Sequence, residues 1–257
     1  MKVAVLTENT ACSAFVCPEH GLSLYLETEN HKILFDMGQT DAFARNAEKL
    51  GIDLSSVDIA ILSHGHYDHG GGLRTFLERN EKAKVYIHQD AFGAHYNGQD
   101  KFIGLDTSLR DHSRLQFTHA TVSLGKDLQL WDCNDLGWQF DSWGLTRKTP
   151  RGFIPDPFTH EQYLLILEGE RKILISGCTH KGIVNIANHF RPDVLIGGFH
   201  LNKLEDKDTL TNIAKTLLQY GGDYYTGHCT GNYQYTCMKE TMADALHSLS
   251  TGSVFTV

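Results

Sequence analysis

Ser63-His64-Gly65-His66-Tyr67-Asp68-His69 places three histidines and one aspartate within six residues, directly after the apolar, β-branched run Val57-Asp58-Ile59-Ala60-Ile61-Leu62. That run reads as a buried strand. The following Gly70-Gly71-Gly72-Leu73-Arg74-Thr75-Phe76-Leu77 reads as a glycine turn opening a helix. The histidines are therefore expected on a loop at the C-terminal end of a strand, where a rigid scaffold presents functional side chains. Neutral imidazoles and an ionised carboxylate are metal ligands. Histidine is common here, at 15 of 257 residues, so some clustering is ordinary. Four ligand-type side chains in so short a span, however, would leave buried polar groups short of partners unless something binds them. The segment is read as a metal site.

The rest of the chain follows the same grammar. Strands are expected at 2–6, 21–26, 32–35, 83–88, 162–167, 171–176, 193–198 and 223–226. Helices are expected at 41–50, closed by Gly51, and at 182–190, 206–220 and 233–248. Residues 93–160 are less regular. They carry Trp131, Trp138 and Trp143 and the segment Pro150-Arg151-Gly152-Phe153-Ile154-Pro155-Asp156-Pro157. Such a stretch reads as a lid or binding loop, or as a set of short hairpins, which 121–131 favours. The tryptophans suit either stacking on an aromatic substrate or core packing. No linker or compositional break divides the chain, so 1–257 is expected to be a single domain of two β-rich halves with outer helices.

Three later segments place polar ligands just past a buried strand, each with histidine near glycine: Ser176-Gly177-Cys178-Thr179-His180, Gly197-Gly198-Phe199-His200 and Thr226-Gly227-His228-Cys229-Thr230-Gly231. Two metals can then be assigned. His64 and His66, two apart on an extended loop, grip one ion with His180. Asp68 and His69 hold a second with His228. Cys178 bridges the ions or lies beside them. Dinuclear centres of this kind activate water at neutral pH. The cofactors expected are two divalent ions, zinc first, with iron or manganese as alternatives. Cys12 and Cys17 are a weaker candidate pair.

Composition narrows the function. The formal charge of −8, without a long Lys/Arg run, argues against a nucleic-acid partner. No stretch of about 20 apolar residues exists, so no membrane partner is expected. Six cysteines without an export signal point to reduced thiols and a cytoplasmic protein. The partner expected is a small-molecule substrate, with a homodimer as the assembly considered.

His64-x-His66-x-Asp68-His69 resembles the signature of the metallo-β-lactamase fold superfamily. Together with Leu62-Ser63, Ser176-Gly177-Cys178-Thr179-His180-Lys181-Gly182-Ile183-Val184-Asn185, Gly197-Gly198-Phe199-His200-Leu201 and His228-Cys229-Thr230-Gly231, it is similar to the branch named for 7,8-dihydropterin-6-methyl-4-(β-D-ribofuranosyl)-aminobenzene-5′-phosphate synthase. The resemblance implies an α/β fold, an αββα four-layer sandwich with the metal site at one edge of the sheets. It departs from the superfamily in offering Cys178 where a bridging aspartate is usual. A thiolate favours zinc or iron over magnesium or calcium. The usual third-motif histidine is assigned to His180, with His160 as competitor.

The function expected is a metal-dependent hydrolase that uses a metal-bound hydroxide on a small ester, lactone, thioester or phosphoester, a pterin-related substrate included. Asp68 is the catalytic group that orients or deprotonates the nucleophile, and His200 donates a hydrogen bond to substrate or leaving group. Arg147, Lys148 and Arg151 are either anion clamps or an ordinary solvated charge cluster. The competing readings are a di-iron redox protein and a non-catalytic metal-binding protein. The first lacks a Rossmann-type glycine fingerprint. The second would need only four closing ligands, and this chain offers more.

Overall fold

The computed structural model describes all 257 residues, which fall into two compact units. Residues 1–119, 144–161 and 250–257 form the first, and 120–143 and 162–249 the second. Strands β1–β18 and helices α1–α6 are numbered in chain order.

The first unit is built on a seven-stranded sheet in the order β18-β1-β2-β3-β4-β5-β8. Its strands are β1 (Lys2–Thr7), β2 (Ser23–Glu27), β3 (Lys32–Phe35), β4 (Ile59–Leu62), β5 (Lys84–His88), β8 (Leu115–Thr118) and β18 (Val254–Thr256). β3, β4, β5 and β8 run parallel, so their C-terminal ends lie side by side. Helices α1 (Ala42–Lys49) and α3 (Leu73–Arg79) supply Phe43, Ala44, Ala47, Leu73, Phe76 and Leu77 to a core shared with Ala4, Leu6, Leu34, Ala60, Leu62 and Val85. The apolar positions of each helix recur three or four apart, which makes one face continuous. α1 stops where Gly51 takes a left-handed φ of 70°. β18 closes the far edge by pairing antiparallel with β1, which brings the chain's last residues back to its first.

The second unit has its own seven-stranded sheet, β17-β16-β15-β14-β13-β10-β9. These are β9 (Thr121–Ser123), β10 (Leu128–Trp131), β13 (Tyr163–Glu168), β14 (Arg171–Ile175), β15 (Val194–Ile196), β16 (Asp223–Thr226) and β17 (Leu246–Ser248). From β14 to β17 the strands are parallel. Helices α4 (Ile183–Phe190), α5 (Lys207–Tyr220) and α6 (Asn232–Met242) flank it, with Ile186, Ala187, Leu210, Ala214, Leu217 and Met238 in its core. α5 is capped by Asp206, whose carboxylate accepts from the Thr209 N–H at 2.8 Å.

One expectation is corrected and one open alternative is decided. The final helix does not run over 233–248. It ends at Met242, Ala243 adopts φ 43°, and Leu246–Ser248 pair with β16 as a strand. Lys239 Nζ holds the turn by donating to the carbonyls of Ala243 and Leu246 at 2.7 and 2.6 Å. Of the two readings of 93–160, the short hairpins hold: the stretch carries several short strands joined by turns and loops. β6 (His95–Asn97), β7 (Lys101–Phe102), β11 (Leu145–Thr149) and β12 (Gly152–Pro155) form a four-stranded sheet in the first unit, and β9–β10 is the hairpin that 121–131 suggested. Strands of two to five residues are too short to leave a clear alternation in sequence. Trp131 and Trp138 pack against the core of the second unit rather than standing free. No helix is long and apolar enough to cross a membrane.

Candidate metal centre

In the first unit, the parallel neighbours β3 and β4 bring Asp36 and Ser63-His64 to one edge. The buried Asp36 carboxylate accepts from the Ser63 backbone N–H at 2.7 Å, from Ser63 Oγ at 2.7 Å, and meets His69 Nδ1 at 2.6 Å. Ser63 Oγ also lies 2.8 Å from His64 Nδ1. Both imidazoles are therefore fixed through Nδ1, so Nε2 is the atom suited to ligate, an arrangement that orients metal-binding histidines and raises their basicity. Asp36 sits at φ 59°, a left-handed conformation rare outside glycine that is held at functional sites by its surroundings.

His64, His66 and His69 stand together, with ring centroids 4.5 Å apart for His64–His66 and 4.2 Å for His64–His69. Gly65 between them is obligatory, since a Cβ there would collide with the Ala91 carbonyl. Burial, reinforced by the neighbouring His160, holds the His66 imidazole well below its usual range, in the neutral form that binds metals. Asp68 follows on α2 (Tyr67–Gly70), and its Oδ2 lies 3.2 Å from His20 Nε2.

His160 belongs to a second buried cluster. The ligand atoms of His66, His95, Asp156 and His160 all lie within 4.8 Å of one another. The Gly65 N–H donates to His160 Nδ1 at 2.9 Å, which puts the proton of a neutral ring on Nε2, 3.5 Å from Asp156 Oδ2. His95 Nδ1 meets the same oxygen at 2.7 Å. Burial pushes the Asp156 carboxyl up, but its hydrogen bonds with His160 and His95 outweigh this and hold it well below the usual carboxylate range.

In the second unit, loops after the adjacent parallel strands β14, β15 and β16 carry Cys178 and His180, His200, and His228 and Cys229. The ligand atoms of Cys178, His200 and Cys229 lie within 4.8 Å of one another, and the His180 and His200 ring centroids are 4.2 Å apart. Thr179 Oγ1 donates to the Gly198 carbonyl at 2.8 Å, and the Phe199 N–H donates to Thr230 Oγ1 at 2.9 Å, which ties the three loops together. Thr179, His200 and His228 all have positive φ, near 50°. Gly198 leaves room for the Cys229 sulfur, which a Cβ would strike. Burial pushes the Cys229 thiol up, but Cys178 and the imidazoles of His200 and His228 outweigh it and hold the thiol well below its ordinary value.

The sequence-predicted residues thus fall into two groups, His64, His66, Asp68 and His69 in the first unit and Cys178, His180, His200 and His228 in the second. Asp36, His95, Asp156 and Cys229 were missed. Asp36 carried a usable signal, a polar residue between the strand Lys32–Phe35 and Gly38, but it has no histidine beside it. Cys12 and Cys17 are exposed. Arg147 approaches Thr159 at 3.4 Å and Lys148 lies over Phe153 on the small sheet, while Arg151 is exposed. The donor sets fit a divalent ion: neutral, oriented imidazoles, a carboxylate and a soft sulfur.

A mixed α/β fold with helices flanking its sheets and buried histidine clusters at the ends of parallel strands is what the metallo-β-lactamase fold presents, and residues 18–228 match the family model of the metallo-β-lactamase superfamily. The chain belongs to that superfamily. A solved structure described as a metal-dependent hydrolase of the β-lactamase superfamily superposes with a TM-score of 0.86 at 28% identity, covering 100% of this chain and 99% of the other. Among curated relatives, an uncharacterized protein of Methanocaldococcus jannaschii is 28% identical over 89% of this chain and 90% of its own length. The 7,8-dihydropterin-6-methyl-4-(β-D-ribofuranosyl)-aminobenzene-5′-phosphate synthase of the same organism is 26% identical over 92% of this chain and 89% of its own length.

Proposed function

We propose that the protein is a metal-dependent hydrolase acting on a small ester, lactone, thioester or phosphoester. The observation that carries this reading is the Asp36–Ser63 anchor, which fixes His64 and His69 through Nδ1 and so prepares both rings as ligands. His64, His66, Asp68, His69, Cys178, His180 and His228 are assigned as the holders of two divalent ions, zinc first, because the set combines imidazole, carboxylate and thiolate. When bound, such ions acidify water and stabilise charge on the attacked group. Asp68 orients the nucleophile or accepts its proton. His200 donates to the substrate or the leaving group, which needs a ring nitrogen within hydrogen-bond reach. A pterin-bearing compound belongs in the substrate panel because one relative's name refers to a dihydropterin.

The test is a hydrolysis screen of p-nitrophenyl esters, phosphodiesters, lactones and thioesters with metal-loaded protein. Turnover lost on chelation, restored by zinc, iron or manganese, and abolished in Asp68→Ala supports the reading. Turnover unaffected by chelation would overturn it.

A further inference from the structure

The second unit holds a cavity of about 250 Å³ between the loop 139–143, the start of α4 and the middle of α5. Its apolar lining includes Phe140, Trp143, Ile183, Val184, Leu201 and Ile213. His180 and His200 also line it. We propose that this cavity is the specificity pocket of the enzyme and that it takes a flat, uncharged aromatic ring bearing a hydrogen-bond acceptor, which His200 binds. The proposal rests on the hydrolase reading and deepens it by naming the part of the substrate this chain selects.

Three observations carry it. The first is His200 itself. Both of its ring nitrogens are buried and neither meets a nitrogen or oxygen partner. The sulfurs of Cys178 and Cys229 lie within 4.8 Å of a ring nitrogen, and the imidazole helps hold the Cys229 thiol low. A buried imidazole normally has a partner, and leaving one without costs roughly 1–3 kcal/mol. A ring at the edge of this cavity, in a left-handed backbone conformation at φ 50°, is in the kind of strained position that functional sites hold.

The second observation is the shape and chemistry of the walls. Trp143 and Phe140 from the loop, Val184 of α4 and Ile213 of α5 all line it, so a planar group seated here meets apolar surface from three elements. The volume lies just below the roughly 300 Å³ at which pockets for whole drug-sized ligands begin, which suits one ring system with the remainder of the substrate outside.

The third is charge. The lining contains no lysine or arginine, and its one carboxylate, Asp141, accepts from the Trp143 backbone N–H at 2.7 Å. Lys203 Nζ is committed to the Trp143 carbonyl and does not line the cavity, so the lining itself offers a phosphate no cation. Because His180 also borders the cavity, a ring in this pocket carries its substituent to one of the assigned ligands.

The test is saturation-transfer NMR on metal-free protein in the presence of EDTA, with indole-3-carboxamide, indole and phenyl phosphate as probes. Indole-3-carboxamide is expected to bind, indole more weakly, and phenyl phosphate not measurably. Val184→Trp and Ile213→Trp fill the cavity from different helices, and each is expected to weaken indole-3-carboxamide about tenfold in a protein whose thermal melt is retained. His200→Phe keeps a ring in place but removes both nitrogens, and is expected to make the carboxamide and plain indole bind alike. No binding of indole-3-carboxamide to the wild type, preference for phenyl phosphate, or wild-type affinity in either folded tryptophan variant would overturn the proposal. Since the probes are read without metal and without turnover, a failed hydrolysis screen leaves this result standing, and a failed binding experiment leaves the hydrolase reading standing.

Discussion

Asp36 Oδ2 lies 2.6 Å from His69 Nδ1, and both side chains are completely buried. The same carboxylate receives the backbone N–H and the hydroxyl of Ser63, which in turn contacts His64. One carboxylate at the end of β3 therefore fixes two imidazoles of the motif that follows β4. Asp36→Asn should keep the shape but lose the charge that raises imidazole basicity, and metal affinity should fall about 10–100-fold. Isothermal titration with zinc measures it. An unchanged affinity would remove Asp36 from the account.

His160 and His180 compete for the third ligand position, and their environments separate them. His160 is engaged by Gly65 on one nitrogen and faces Asp156 with the other. His180→Ala should lower bound metal with little effect on the melt of the metal-free protein. His160→Ala should do the reverse, costing about 1–3 kcal/mol because Gly65 and Asp156 lose a buried partner. Elemental analysis and urea unfolding of both variants decide between them.

Asp156 is the shared partner of His95 and His160. Replacing it by alanine leaves two buried imidazoles without their acceptor, which should cost about 1–3 kcal/mol. Asp156→Asn retains an acceptor and should cost less. Chemical denaturation of the metal-free variants measures both, and an alanine variant as stable as the wild type would contradict the cluster's structural role.

The pH dependence follows from the same unit. His66 has its pKa lowered in the folded state by burial, so the unfolded chain binds the proton more readily. Its contribution to stability is therefore complete above the unfolded value of about 6.5 and is lost as pH falls below it. Asp156 is also lowered, so its contribution is complete above about 3.9 and is lost only under more acid conditions. The melting temperature of metal-free protein should decline below about pH 6.5, and less steeply in His66→Gln. A melt that rises on acidification over that range would reverse the sign.

Most strands and helices were readable because their signals are local. Ile59–Leu62 and Val194–Ile196 are short apolar runs closed by glycine or polar residues, and α5 shows Leu210, Ala214 and Leu217 at helical spacing. The histidine motif was legible for the same reason, being contiguous. What sequence did not show is what depends on distant pairing. β18 meets β1 across the whole chain, 144–161 returns to the first unit, and His95 finds Asp156 61 residues away. The final helix was overextended because 243–248 lacks a strong breaker, and its strand character comes from pairing with β16.

The most direct measurement is metal content by mass spectrometry on protein purified without added metal, alongside a His64→Ala/His69→Ala double variant. The account predicts about two equivalents of zinc, iron or manganese in the wild type and a loss of most of it in the variant. Metal-free wild type that takes up no zinc on titration, or a variant that retains the full complement, would contradict it.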